Sequence, residues 1–166
     1  MDFRSLLPVQ STDSRIAQLE HRKAQLPEHA AVATAQKALS AVQAEIKRLE
    51  KRRGEIAVEI ERLEKRGKEL DAKKAKYEHQ LKSVVAMREV EALQHEIATI
   101  NAEHSSLDDA ELALLDENET LDKSLAEARG ALPQRESDAT DAAARLAAAL
   151  AAVDADLAAA RDERTR

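Results

Sequence analysis

The residues in this chain that could carry chemistry are few, and their spacing defeats most of the reactions they suggest. His95-Glu96 has the opening of a metalloprotease helix. That site needs a second histidine one helical turn on, so that both imidazoles share a face and hold one zinc, and the residue there is Thr99. His21, His29, His79 and His104 are scattered, and the sequence has no cysteine to complete a tetrahedral site. Their simpler reading is as solvated side chains or residues at the edge of a helix seam. No glycine-rich phosphate loop, nucleophile elbow or catalytic triad is visible. The chain therefore reads as non-enzymatic, with no catalytic, cofactor-binding or metal-binding residue assigned.

The remaining chemical candidates are cationic. Lys47, Arg48, Lys51 and Arg52, then Arg62, Lys65 and Arg66, form two basic clusters at helical spacing. A stripe of that kind could follow a phosphate backbone. Glu50, Glu55, Glu59 and Glu64 are threaded through the same stretch. Opposite charges a turn apart neutralise one another on an exposed helix face, so the simpler reading is a solvated surface.

Whatever positions these side chains is helical. The 166 residues are 43% apolar and 35% charged, with a net charge of −6 and only Phe3 and Tyr77 as aromatics. Apolar content made mostly of Ala and Leu cannot fill a wide core, and points to coiled coil or long helix. No apolar run reaches the roughly 18 residues of a membrane span. Met1 to Arg4 carry no signal-peptide core, so the cytoplasm is the expected location.

The first run of helical spacing contains Leu6, Val9, Ile16, Leu19 and Leu26. Pro8 is expected to delay the first firm helix to Thr12 or Asp13, and Pro27 to end it and open the next. From Val32 to Leu81 apolar residues alternate at steps of three and four, with Arg53, Gly67 and Lys74 as exceptions in a single column. The pattern resumes from Val90 to Leu132, and its intruders His104, Glu111 and Asn118 also share one column. So long a 3.5-residue period is the mark of a coiled coil. Gly130 and Pro133 predict a second break or sharp kink. Beyond them Leu146, Leu150, Val153 and Leu157 keep a thin stripe in an alanine-rich segment.

Two such arms around one central interruption predict an all-α fold, a long antiparallel coiled-coil hairpin over residues 1–166. Arm one covers about 12–82, the turn about 83–88 and arm two about 89–164. Pairing of the two columns allows facing residue numbers to sum to 167 or 174. Either choice brings Arg53 within a layer of Asn118. Arg53, His104, Glu111 and Asn118 are thus candidates for a polar seam that sets register. Residues 47–82 carry 13 Lys and Arg against 8 Asp and Glu, whereas residues 101–143 carry 3 against 12. A basic arm beside an acidic one favours folding within one chain over pairing of like arms. Val84, Val85 and Met87 fall at the turn, where they either close the last layer or form a contact tip for a protein partner.

The chain resembles a bacterial family that combines a coiled-coil hairpin with a C-terminal zinc ribbon. The resemblance is carried by Leu6-Leu7, Val9-Gln10, Asp13, Ile16, Leu19 to Arg22 and Leu26-Pro27, and after the turn by Glu89 to Ile97 with its Leu-Gln-x-Glu-Ile core. It implies a regulator that contacts the transcription or translation machinery. Some members are described as partners of the sigma factor sigma-54 in flagellar or developmental regulation, and some as RNA-binding. Zinc is expected only if such a ribbon follows Arg166, since no cysteine is present to hold it. The leading expectation is a cytoplasmic adaptor that binds a protein partner. The alternatives are a nucleic-acid-binding helical arm, as in some tRNA synthetases, and a structural spacer or oligomerising rod.

Overall fold

A computed structural model describes residues 6–165 and forms them into three helices: α1 from Leu6–Ala24, α2 from Pro27–Leu81 and α3 from Met87–Thr165. The expected all-α hairpin is what the chain adopts, with one break at Pro27 and one turn after Leu81. Phe3, the chain end at Arg166 and the side chains of Leu6, Leu7 and Pro8 lie outside the described residues.

Two expectations from proline placement are corrected. Helix α1 starts at Leu6, not at Thr12 or Asp13. Pro8 sits in its first turn, where a backbone N–H would have no helical acceptor in any case. Nor is there a break at Pro133, which lies inside the continuous α3. Gly130, expected to help end that helix, has no positive φ.

The chain packs as two compact units, one spanning Glu45–Ala128 and the other combining residues up to Ala44 with those from Arg129 onward. In the first unit Leu49, Ile56, Leu70, Ile100 and Leu125 form the buried seam. Charge pairs fix its register. Arg52–Glu117, Arg66–Glu103 and Lys73–Glu96 join α2 to α3, and their residue numbers sum to 169 in each pair. Each of these residues precedes a seam position of the same column by one. Arg53–Asp122 and His104–Asp71, whose residue numbers each sum to 175, place facing seam residues at a sum of 174 and not 167. Residues of the polar columns then face large apolar ones: His104 opposite Leu70, Glu111 opposite Leu63, Asn118 opposite Ile56. A polar residue placed so gives up packing but discriminates against neighbouring registers.

In the second unit Leu26, Val153 and Leu157 are buried, with Ile16, Leu19, Leu146, Ala149 and Leu150 packed against them. Of the alanines in this stretch, Ala149 packs against the cluster and Ala160 is fully buried. Four ion pairs flank the cluster: Arg15–Glu163 at 3.2 Å, Lys23–Asp154 at 2.5 Å, Arg161–Glu20 at 3.1 Å and Arg164–Asp13 at 2.7 Å. All are solvent-exposed, where each contributes about 0 to 1 kcal/mol. They orient the helices, and the apolar cluster holds them.

Candidate functional site

The turn is built by short-range hydrogen bonds that leave one side of it bare. Lys82 N and Ser83 N donate to the carbonyls of His79 and Gln80 at 3.3 and 3.0 Å, tightening the last turn of α2. Ser83 Oγ also donates to Gln80 O at 3.0 Å. On the return, Ala86 O accepts from Glu89 N and Val90 N at 3.0 and 3.1 Å and so opens α3. Glu89 lies in that first turn, where its charge complements the positive end of the helix. Helix α3 thus begins at Met87, which makes Met87 and Arg88 helical, not part of the expected turn of 83–88.

The three apolar turn residues separate into two roles. Val84 is half-buried and lines an open recess of about 500 Å³ with Gln80, Ser83, Glu89, Ala92 and Leu93. Val85 and Met87 point away, at 96% and 73% exposure. Val84 therefore closes the end of the seam, and Val85 with Met87 forms an uncovered apolar pair.

Of the expected polar seam, His104, Glu111 and Asn118 are half-buried and Arg53 is exposed. Arg53 Nε lies 3.2 Å from Asp122 Oδ1, so its charge goes to α3's flank instead of to Asn118. Its neighbour Arg52 takes the more sheltered place, with Nε and Nη2 donating to the two carboxylate oxygens of Glu117 at 2.7 and 2.8 Å. This bidentate hydrogen bonding holds the Glu117 carboxyl below the usual carboxylate range and raises Arg52. Because Glu117 is depressed in the folded chain, whatever stability the pair contributes is present above the ordinary carboxylate pKa. It is lost as pH falls through the folded value. His104 Nε2 lies 2.9 Å from Asp71 Oδ1, and its ring covers Gly67, where an added Cβ would stand 3.6 Å from Cε1.

The basic clusters are largely engaged within the chain. Arg48 is paired with Glu45, Lys51 with Glu55, Arg52 with Glu117 and Arg66 with both Glu103 and Glu69. Lys47, Arg62 and Lys65 make no ion pair among the described residues. Within the two clusters that leaves three cations, a thin electrostatic footprint for a phosphate backbone. Zinc has no fitting site: the sequence has no cysteine, and among the described residues no three His, Asp or Glu converge on a metal position. No described helix is long and apolar enough to cross a membrane.

A family model for the CT398-like coiled coil hairpin domain matches residues 9–166. A comparison with curated proteins gives no match. The chain is similar to a solved structure of a protein from Mycobacterium smegmatis, with 21% identity and a TM-score of 0.53, over 98% of this chain and 67% of that one. At that identity the likeness concerns the fold alone.

Proposed function

Since the chain belongs to the CT398-like coiled coil hairpin family, we propose that it is a non-enzymatic adaptor of the cytoplasm whose turn engages a protein partner. The observation that carries this reading is the exposed pair Val85 and Met87. Of the three apolar turn residues only Val84 is half-buried, and the other two are left largely uncovered by the chain itself. Methionine at such a position can adapt to varied partner surfaces. The resemblance carried by the N-terminal and post-turn segments supports a partner in the transcription or translation machinery, with a sigma factor as the first candidate. Ion pairing of the basic arm weighs against the nucleic-acid reading.

The test is a photo-crosslinking amino acid placed at Val85 in cells, with the exposed Val58 as the control position. One discrete protein joined at position 85 and absent at 58 is expected, and Met87→Ser should abolish it without lowering the melting temperature. Val84→Ser should lower the melting temperature instead. Crosslinks to RNA alone, or equal yields at both positions, would sink the adaptor reading.

A further inference from the structure

Around the middle of α3 two polar residues sit in the seam and two leucines lie outside it. Glu111 and Asn118 are half-buried in the seam, while Leu112 and Leu115 are turned outward at 60% and 46% exposure. These two leucines are three residues apart and so share a face one turn long. Their helical neighbours are acidic. Asp108, Asp109 and Asp116 lie three or four residues from Leu112, and Glu111 and Glu119 each lie four from Leu115.

The internal charge ladder does not reach this face. Glu103, Glu117 and Asp122 are taken up by Arg66, Arg52 and Arg53, and Glu119 by Lys123. Asp108, Asp109, Glu111 and Asp116 have no ion-pair partner among the described residues. Like charges one turn apart weaken a helix by a few tenths of a kcal/mol per pair. An exposed leucine pair inside such a ring is therefore a feature that folding of this chain does not call for.

We propose that the α3 face centred on Leu112 and Leu115 docks an amphipathic helix of a partner protein bearing lysine and arginine beside its apolar stripe. The occupant follows from charge and spacing. A helix laid along α3 presents apolar residues every three or four positions, matching the leucine pair. Its flanking cations meet Asp108, Asp109 and Asp116, which supply orientation and a salt-sensitive association rate. From Asp108 to Glu119 the face extends about 16 Å at about 1.5 Å per residue, the length of three helical turns. This surface is independent of the pair at the turn, so either proposal survives the loss of the other.

The experiment uses the full chain and a fluorescent four-turn peptide with leucines at helical spacing and flanking lysines and arginines. A second peptide with those leucines replaced by serine keeps the charge. We expect the first peptide to bind the full chain, more weakly as salt rises, and the serine peptide to bind at least about ten-fold more weakly. Leu112→Ser with Leu115→Ser should weaken the first peptide by a similar factor, and Asp108→Asn with Asp116→Asn should flatten the salt dependence. The melting temperature should stay unchanged, because both leucines are outside the seam. Equal binding of the two peptides would overturn the proposal, as would wild-type affinity in the double-serine chain. So would binding lost on Val85→Ser with Met87→Ser but kept without the leucines. A concentration-dependent dimer abolished by the double-serine change would assign the face to a second copy of this chain instead.

Discussion

Pro27 and Pro133 lie in the same packed unit and have opposite effects. The chain leaves helix at Gln25 and Leu26 and restarts at Pro27, whereas α3 runs through Pro133 uninterrupted. The difference lies in the phase of the buried stripe. Leu19 and Leu26 are seven residues apart, as are Val32 and Leu39, but Leu26 and Val32 are separated by six. One continuous helix would rotate the second stripe away from α3 by about 100°, the turn made by one residue. In α3, Leu132, Ala139, Leu146, Val153 and Ala160 recur every seven residues, and all are buried or half-buried. Breaking α3 at Pro133 would throw that stripe out of phase. A proline inside a helix costs about 3 kcal/mol, while full burial of each Leu or Val side chain returns about 1.5 to 3 kcal/mol. At Pro133 packing outweighs the local cost. At Pro27 the first position of a helix suits proline, and nothing opposes the break.

The change that should damage the first of these regions most is Leu26→Ala. Leu26 is 8% exposed and packs in the link between α1 and α2, against Val153 and Leu157. Its truncation should cost roughly 2 to 5 kcal/mol in urea unfolding. A loss under about 1 kcal/mol would mean that proline geometry, not the buried leucine, holds the link. Next is Pro133→Ala, which should raise stability by about 3 kcal/mol, since it restores a donor to the helix and removes a ring clash. No gain would show that the backbone of α3 has already relaxed around the ring. The smallest effect is expected at the other proline. Pro27→Ala should shift stability by about 1 kcal/mol or less, through the entropy of the unfolded chain. Amide exchange should still find Gln25 and Leu26 outside helix. A helix that became continuous from α1 into α2 would make proline, and not phase, the cause of the break.

Much of the fold is legible as periodicity. Every residue of the two seam columns between Val32 and Leu132, apart from Arg53, is buried or half-buried. The contrast between a basic and an acidic arm, also legible along the chain, becomes the ladder of Arg52, Arg66 and Lys73 against Glu117, Glu103 and Glu96. Even the continuity of α3 was present as a seven-residue recurrence across Pro133. A local rule about proline hid it, because that rule weighs one residue and the recurrence weighs five. The candidate site was less accessible. Val84 and Val85 are identical in composition and adjacent in sequence, yet one closes the seam and the other is 96% exposed.

What the sequence determines by itself is the set of properties fixed over one or two helical turns: helix, the stripe that needs covering, the sign of charge along each arm and the position of the turn. These depend on neighbours within about four residues, whose geometry a helix dictates. The choice of 174 over 167, the preference of Arg53 for Asp122 and the different places of Val84 and Val85 required the tertiary structure. Each is a competition between a local preference and contacts with a second helix. Its outcome depends on which residues that helix presents at the same height, a quantity with no counterpart along either helix alone.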